Sequence, residues 1–189
     1  MAGWCWANCF NLNPRQRLIT ILAAAAADLD GLGMLVSTEL YWDWHHKLMH
    51  NIFAGIALAM IGSAFAGKKL KMFLVLFAIF HLHLLMDLFG SGEGWGFYYF
   101  WPISDYLVLT DHAWPFYSWQ NIATAGLLFS WILLLVVKSK RTPLEAIMPS
   151  LDNQLVKLAD NALAAIRNAR QIKPKDKSPS QPQPLRDTV

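Results

Sequence analysis

His83 and Asp87 stand four residues apart in an otherwise apolar run, Met72 to Phe89. On a helix that spacing puts an imidazole and a carboxylate on one face. Ionisable groups are costly in so apolar a segment, and they usually mark a function. A neutral imidazole beside a carboxylate is also a natural pair of metal ligands. Two further groups could complete such a set. Asp28 and Asp30 flank Leu29, and His45, His46 and His50 lie in a short polar stretch. His46 and His50 would share a helical face, and His45 would still neighbour His50 if a helix begins between them. Two to four His with two or three carboxylates suit zinc, or a two-metal site using zinc, manganese or iron. His81 is two residues from His83 and points to another face, which reads as packing.

These residues need elements to hold them, and composition says what kind. Of 189 residues, 55% are hydrophobic and 15% charged, and the mean hydropathy is +0.30. That is more apolar than an ordinary soluble domain, and the apolar residues come in blocks. The chain reads as an all-α, polytopic membrane protein. The net charge is only +3, and the basic residues sit at the ends of apolar blocks, which suits membrane topology rather than nucleic-acid binding. No signal peptide with a basic region, apolar core and small-residue cleavage site is evident at the start. Cys5 and Cys9 could pair or hold half a metal site, but the plainest reading gives them no role.

About four transmembrane helices are expected, followed by a C-terminal amphipathic helix. Residues 1–17 read as a short irregular cytoplasmic segment. The first apolar block, from Leu18 to Ala27, is too short to span unless it continues past Asp28 and Asp30 to Val36, and Gly31 and Gly33 favour a break just after Asp30. The second block runs from Ile52 to Gly67 and can extend back through His50. The third is Met72 to Phe89, and the fourth Ile122 to Val137. Residues 37–51 contain Tyr41, Trp42 and Trp44, which suit an interfacial belt. A long Gly- and aromatic-rich loop covers residues 90–121. Apolar positions in steps of three and four predict an amphipathic helix over 144–169, interrupted at Pro149. It suits the membrane surface or self-association into a homo-oligomer. From about residue 172 the Lys-, Pro-, Ser- and Gln-rich composition predicts a disordered tail.

Positive charge fixes orientation. Arg15 and Arg17 precede block one, Lys68, Lys69 and Lys71 separate blocks two and three, and Lys138, Lys140 and Arg141 follow block four. The other connections hold only Lys47. Four spans with both termini cytoplasmic satisfy every one of these biases. At about 1.5 Å per residue, Asp28 and Asp30 then lie roughly 16 and 20 Å from the cytoplasmic side, His50 roughly 27 Å, and His83 and Asp87 roughly 18 and 24 Å. In a core about 30 Å thick, all fall in the outer leaflet. Three helices therefore bring ionisable residues to one level, which favours a site over isolated structural histidines. A conduit for ions would need polar residues continuing to the cytoplasmic side, and the inner halves of blocks two to four hold almost none.

At these residues the chain resembles the YdjM-type family of membrane-bound, metal-dependent hydrolases. The family's Pro-Asp-hydrophobic-Asp reads Ala27-Asp28-Leu29-Asp30 here. Its His-Arg-x-x-Thr-His-Ser reads His45-His46-Lys47-Leu48-Met49-His50-Asn51, with His46 and Met49 in place of Arg and Thr. Its His-x-x-x-Asp, before a Gly-containing loop and a Trp-Pro, reads His83 to Asp87, Gly90 to Gly96 and Trp101-Pro102. Many members carry an early His, and none precedes His45 here. The family is itself similar to zinc-dependent phospholipases C.

The resemblance implies a bacterial inner-membrane hydrolase domain over 18–141, acting on an ester or phosphoester at the non-cytoplasmic face, where the depth of the site suits a lipid-linked substrate. A divalent ion, zinc first, would be held by Asp30, His50, His83 and Asp87. Asp28 would bridge, orient or act as general base, and His45 or His46 would ligate a second metal or protonate the leaving group. Loop 90–121 would cap the site, with Glu93, Asp105, Asp111 and His112 as extra polar groups. The alternative is a non-catalytic membrane scaffold whose metal or polar cluster only holds the helices together.

Overall fold

The computed structural model describes residues 1–171, so the tail expected from 172 lies outside the described residues. The chain is all-helical there: α1 (Ala2–Asn8), α2 (Pro14–Ala25), a 3-10 helix (Ala27–Leu35), α3 (Thr38–Trp44), α4 (Ile52–Ala66), α5 (Lys69–Gly90), α6 (Trp119–Ser139) and α7 (Pro149–Gln171). The only pairing of extended backbone among the described residues is an isolated antiparallel bridge, Phe97 with Val108.

Local sequence sets most of these boundaries. Asn13 and Gln16 exchange side-chain and backbone hydrogen bonds in a capping box, and Pro14 takes the first helical position, where its missing N–H costs nothing. Ser37, Asn51 and Ser118 cap α3, α4 and α6 by accepting backbone N–H groups. Pro149 starts α7 instead of interrupting it. The first apolar block bends by 60° between α2 and the 3-10 helix. That break is at Ala26, four residues before the one expected after Asp30. Gly33 serves packing instead: a Cβ there would lie 2.8 Å from the Leu40 carbonyl oxygen. The 3-10 helix can therefore lie directly on α3.

Residues 1–17 are not irregular. Trp4, Cys5 and Ala7 of α1 are buried, and α1 packs against α2, α5 and α6. Trp6 Nε1 donates to the Val75 carbonyl of α5 at 3.0 Å. Both cysteines are free thiols.

Helices α4 and α5 form the most extensive pair. Gly55 receives the Phe80 ring and Gly62 the Leu76 side chain, so small residues let the helices approach closely. Met72, Leu76, Ile79, Phe80 and Leu84, all on α5, are the largest fully buried apolar side chains among the described residues. Helices α5 and α6 are long and apolar enough to cross a membrane, and the bent pair from Pro14 to Leu35 is a third candidate. Helix α4, with 15 residues, is short of that length.

The basic segments gather at one end of the bundle. Gln16 donates to the Ala66 carbonyl at 2.9 Å, and Lys71 Nζ to the Asn11 carbonyl at 3.1 Å. Arg17 is buried, bonds the Leu12 carbonyl and forks onto Glu145. Cutting Arg17 to alanine leaves Glu145 without its cation and Leu12 without its donor. Arg17→Ala is expected to cost about 3 kcal/mol, read as a lower thermal midpoint in detergent.

Candidate metal centre

The carboxylate pair, the His loop and α5 meet at the opposite end. On α5 the regular helix puts His83 and Asp87 on one face, with His83 Nε2 and Asp87 Oδ2 3.0 Å apart. His50 Nε2 lies 3.2 Å from the same Asp87 oxygen. Asp28 Oδ1, from the 3-10 helix, lies 3.3 Å from His83 Nε2. All four residues offer a ligand atom within 4.8 Å of the others. Three of these atoms, His50 Nε2, His83 Nε2 and Asp87 Oδ2, are buried and have no hydrogen-bond partner. Burying polar atoms without partners is costly. Lone pairs that converge without donating or accepting fit a cation among them, so the donor set passes the test for a divalent ion.

Asp30 does a different job. It is buried, and its Oδ2 accepts from His50 Nδ1 at 2.9 Å and from the Met49 amide at 3.1 Å. Its Oδ1 bonds His45 Nδ1 at 2.9 Å. A carboxylate on Nδ1 fixes the tautomer that leaves Nε2 as a lone-pair donor, the arrangement found behind metal-bound imidazoles. Asp30, His45 and His50 form a second close group that shares His50 with the first. In that group the facing atoms are already spent on hydrogen bonds.

The His loop is not helical. His46 has φ +64°, and the Asn51 amide holds the turn by donating to the carbonyls of Lys47 and Leu48. His46 and His50 therefore do not share a helical face; they are brought together by a turn, with ring centroids 4.4 Å apart. His46 Nε2 accepts from Trp95 Nε1 at 2.9 Å. A tryptophan N–H can only donate, so the proton is on Nδ1, which faces the Gly96 carbonyl at 2.9 Å. His46 thus latches loop 90–121 over the site. Gly96 lets the loop close on itself, because a Cβ there would sit 2.4 Å from the Val108 carbonyl oxygen. Sequence reasoning missed this latch; the only hint was a Trp set between Gly94 and Gly96.

Burial pushes the His46 imidazole down to about 4, and neighbouring His50 acts in the same sense. An unfolded chain protonates this residue near 6.5. The folded state therefore binds fewer protons between those values, and the stability the latch contributes is lost as pH falls from about 6.5 towards about 4. The stability gap between wild type and His46→Gln is expected to narrow over that interval in thermal melts.

Other predicted residues lie elsewhere. His81 bonds the Phe77 carbonyl and the Tyr99 hydroxyl, both at 2.8 Å. Glu93, Asp105, Asp111 and His112 belong to neither close group. Of the aromatic belt, Tyr41 stacks on His45 at 4.6 Å, and Trp42 meets Trp95 edge-on at 5.7 Å. A cleft of about 360 Å³ opens above the centre, lined by Asp28, His45, His46, Asp87, Trp95 and Phe116 among others.

Residues 5–156 match the model of a protein family described as YdjM inner membrane protein. The chain belongs to this family. The matched span includes all the residues of both close groups. No match was found among curated proteins or solved structures, and the similarity to zinc-dependent phospholipases C is not shown. As a YdjM protein, the chain combines an inner-membrane family, apolar helices of spanning length and a group of side chains able to bind a metal.

Proposed function

We propose that this YdjM protein is a metal-dependent hydrolase of an ester or phosphoester bond at the non-cytoplasmic face of the inner membrane. The observation that carries the reading is the convergence of three buried, unpartnered donor atoms, from His50, His83 and Asp87. Asp28, His50, His83 and Asp87 would hold the ion. Two nitrogens and two carboxylates suit zinc first, then manganese or iron. Bound there, the ion would supply Lewis acidity, lowering the pKa of water and polarising a phosphoryl or carbonyl oxygen.

The remaining steps belong to the chain. Asp30 orients His50 and, through its other oxygen, His45. With Nδ1 held by Asp30, His45 has Nε2 left for the cleft it lines. It is the group suited to take a proton from water or return one to the leaving oxygen. His46 has both ring nitrogens engaged, and it is a positioning residue for the loop. The side chain of Asp28 is 59% exposed, so the donor set opens on the cleft. Structural metal sites are normally closed, and catalytic ones keep an open position. With Asp28 the one donor that solvent reaches, His50, His83 and Asp87 would be the three firm ligands and the position at Asp28 the one that water could share, which favours the hydrolase over the scaffold.

Four crossings with the basic connections on the cytoplasmic side complete the reading; the N-terminus itself turns into the bundle, where Met1 lines hollows beside His83 and Asp87. Support comes from the basic segments gathering at the end opposite the carboxylates and histidines. Helix α4 would cross with help from the residues flanking it, and α7 would lie along the cytoplasmic surface, where its exposed Leu158 and Ile166 suit lipid or a second copy. A screen of aryl phosphodiesters and aryl esters with zinc-loaded protein tests the activity. His45→Gln is expected to lower turnover by about 100-fold or more with little change in bound metal. Undiminished turnover in that variant would remove His45 from the mechanism.

A further inference from the structure

The centre has a second opening, on the side of the apolar helices. Helices α5 and α6 are joined where α5 ends: Asn121 Nδ2 donates to the Gly90 carbonyl at 2.7 Å, and the Trp114 amide to the Phe89 carbonyl at 2.9 Å. Beyond that junction they hardly touch. Helix α1 wedges between them, with Trp6 bonded to Val75 of α5 and the Cys5 thiol 3.7 Å from the Leu128 carbonyl of α6. Two adjoining hollows result, of about 280 and 240 Å³, which share Met1 of the N-terminus, Met86 and Leu128. One is lined by Ile21, Ala24 and Ile79 and reaches His83. The other is lined by Phe116, Thr124 and Ala125 and reaches Asp87. Each hollow therefore ends on a residue of the metal centre, the second through a polar end formed by Ser91 and Asn121.

We propose that the gap between α5 and α6 is a lateral passage. The single long apolar chain of an amphiphilic phosphoester would occupy it from within the bilayer, with its polar end at Asp87 and His83. This rests on the hydrolase reading and adds the substrate class to it. Both bordering helices are long and apolar enough to span, and none of the apolar stretch of α6 is buried in the protein. The medium around the gap is therefore hydrocarbon. An open apolar hollow there is filled by a chain at little desolvation cost, whereas water would lose its partners. The cleft on the other side of the centre is bordered by Asp28, His45 and Trp95, which suits the polar part. Apolar below and polar above is the profile of an amphiphile lying across the four donors.

The test compares inorganic phosphate, octyl phosphate and dodecyl phosphate binding to zinc-loaded protein by calorimetry in maltoside detergent. Four more buried methylenes are worth roughly 200-fold against water; competition from the maltoside micelle for the longer chain reduces the expected preference of wild type for dodecyl over octyl phosphate to about tenfold. Ala125→Phe, which fills a hollow, is expected to erase that difference and leave inorganic phosphate binding unchanged. Ala123→Phe on the same helix, which borders neither hollow, is expected to behave as wild type. Equal binding of the two alkyl phosphates, or an unchanged chain-length preference in Ala125→Phe, would overturn the passage. Chain-length-dependent binding that Ala125→Phe erases, in protein that takes up neither zinc nor inorganic phosphate, would support the passage and overturn the hydrolase reading on which it rests.

Discussion

His83→Ala is expected to fold and to lose its metal. The His83 Nε2 atom has no hydrogen-bond partner, so removing the ring orphans no donor or acceptor, and the main loss to the metal-free protein is packing. The metal-bound protein loses one of four donors. If a four-ligand site is worth on the order of 10–16 kcal/mol, one ligand is worth roughly 3 kcal/mol, a factor of over 100 in affinity. Competition with a chromogenic chelator reads that factor, and thermal melts of the chelated proteins read the folding term. A His83→Ala protein that binds zinc as tightly as wild type would remove His83 from the centre. One that unfolds even when wild type is also metal-free would favour the scaffold.

Of the two carboxylates of Asp28-Leu29-Asp30, only Asp30 is expected to carry stability as well as metal affinity. Asp30 accepts from two imidazoles and one backbone amide with no exposure of its side chain. Asp30→Ala leaves three donors orphaned, at about 1–3 kcal/mol each before relaxation, so a net loss on the order of 4 kcal/mol is expected. Metal affinity should fall as well, by about 10–100-fold, because His50 is no longer oriented. Asp28→Ala removes a half-exposed side chain that bonds nothing else, and stability should change by no more than about 0.5 kcal/mol. Its affinity loss should be smaller than that of His83→Ala, since solvent can reach the vacated position. Urea or thermal unfolding of the two variants side by side measures the contrast. Equal destabilisation of both would mean that the carboxylates have the same role.

The sequence shows the long helices because their apolar blocks are bounded by caps and charge: Asn51 before α4, Lys68 and Lys69 before α5, Ser118 before α6. The His83 and Asp87 pair is legible for the same reason, since a regular helix fixes the spacing of a face. The His loop is not legible in that way. Its shape depends on His46 in the left-handed region and on a side-chain amide reaching back to two carbonyls, and neither leaves a periodic signal. The division of labour between Asp28 and Asp30 is hidden too. Residues two apart point to different sides of any helix, about 160° apart in an α-helix and about 120° in a 3-10 helix, but which of the two faces the centre and which backs it depends on the 60° bend before them. Helix α1 escapes notice because seven residues are too few to be stable alone. Burial of Trp4 and Cys5 against α2, α5 and α6 holds it.

The convergent donors are expected to hold a metal. The most direct test is elemental analysis of protein purified in mild detergent without chelators, beside His83→Ala and His112→Ala. About one equivalent of zinc, manganese or iron per chain is expected in wild type and in His112→Ala, whose histidine belongs to neither close group. The His83→Ala protein should carry almost none. Folded wild-type protein without metal, even after incubation with each ion and removal of the excess, would contradict the account, as would equal occupancy in all three proteins.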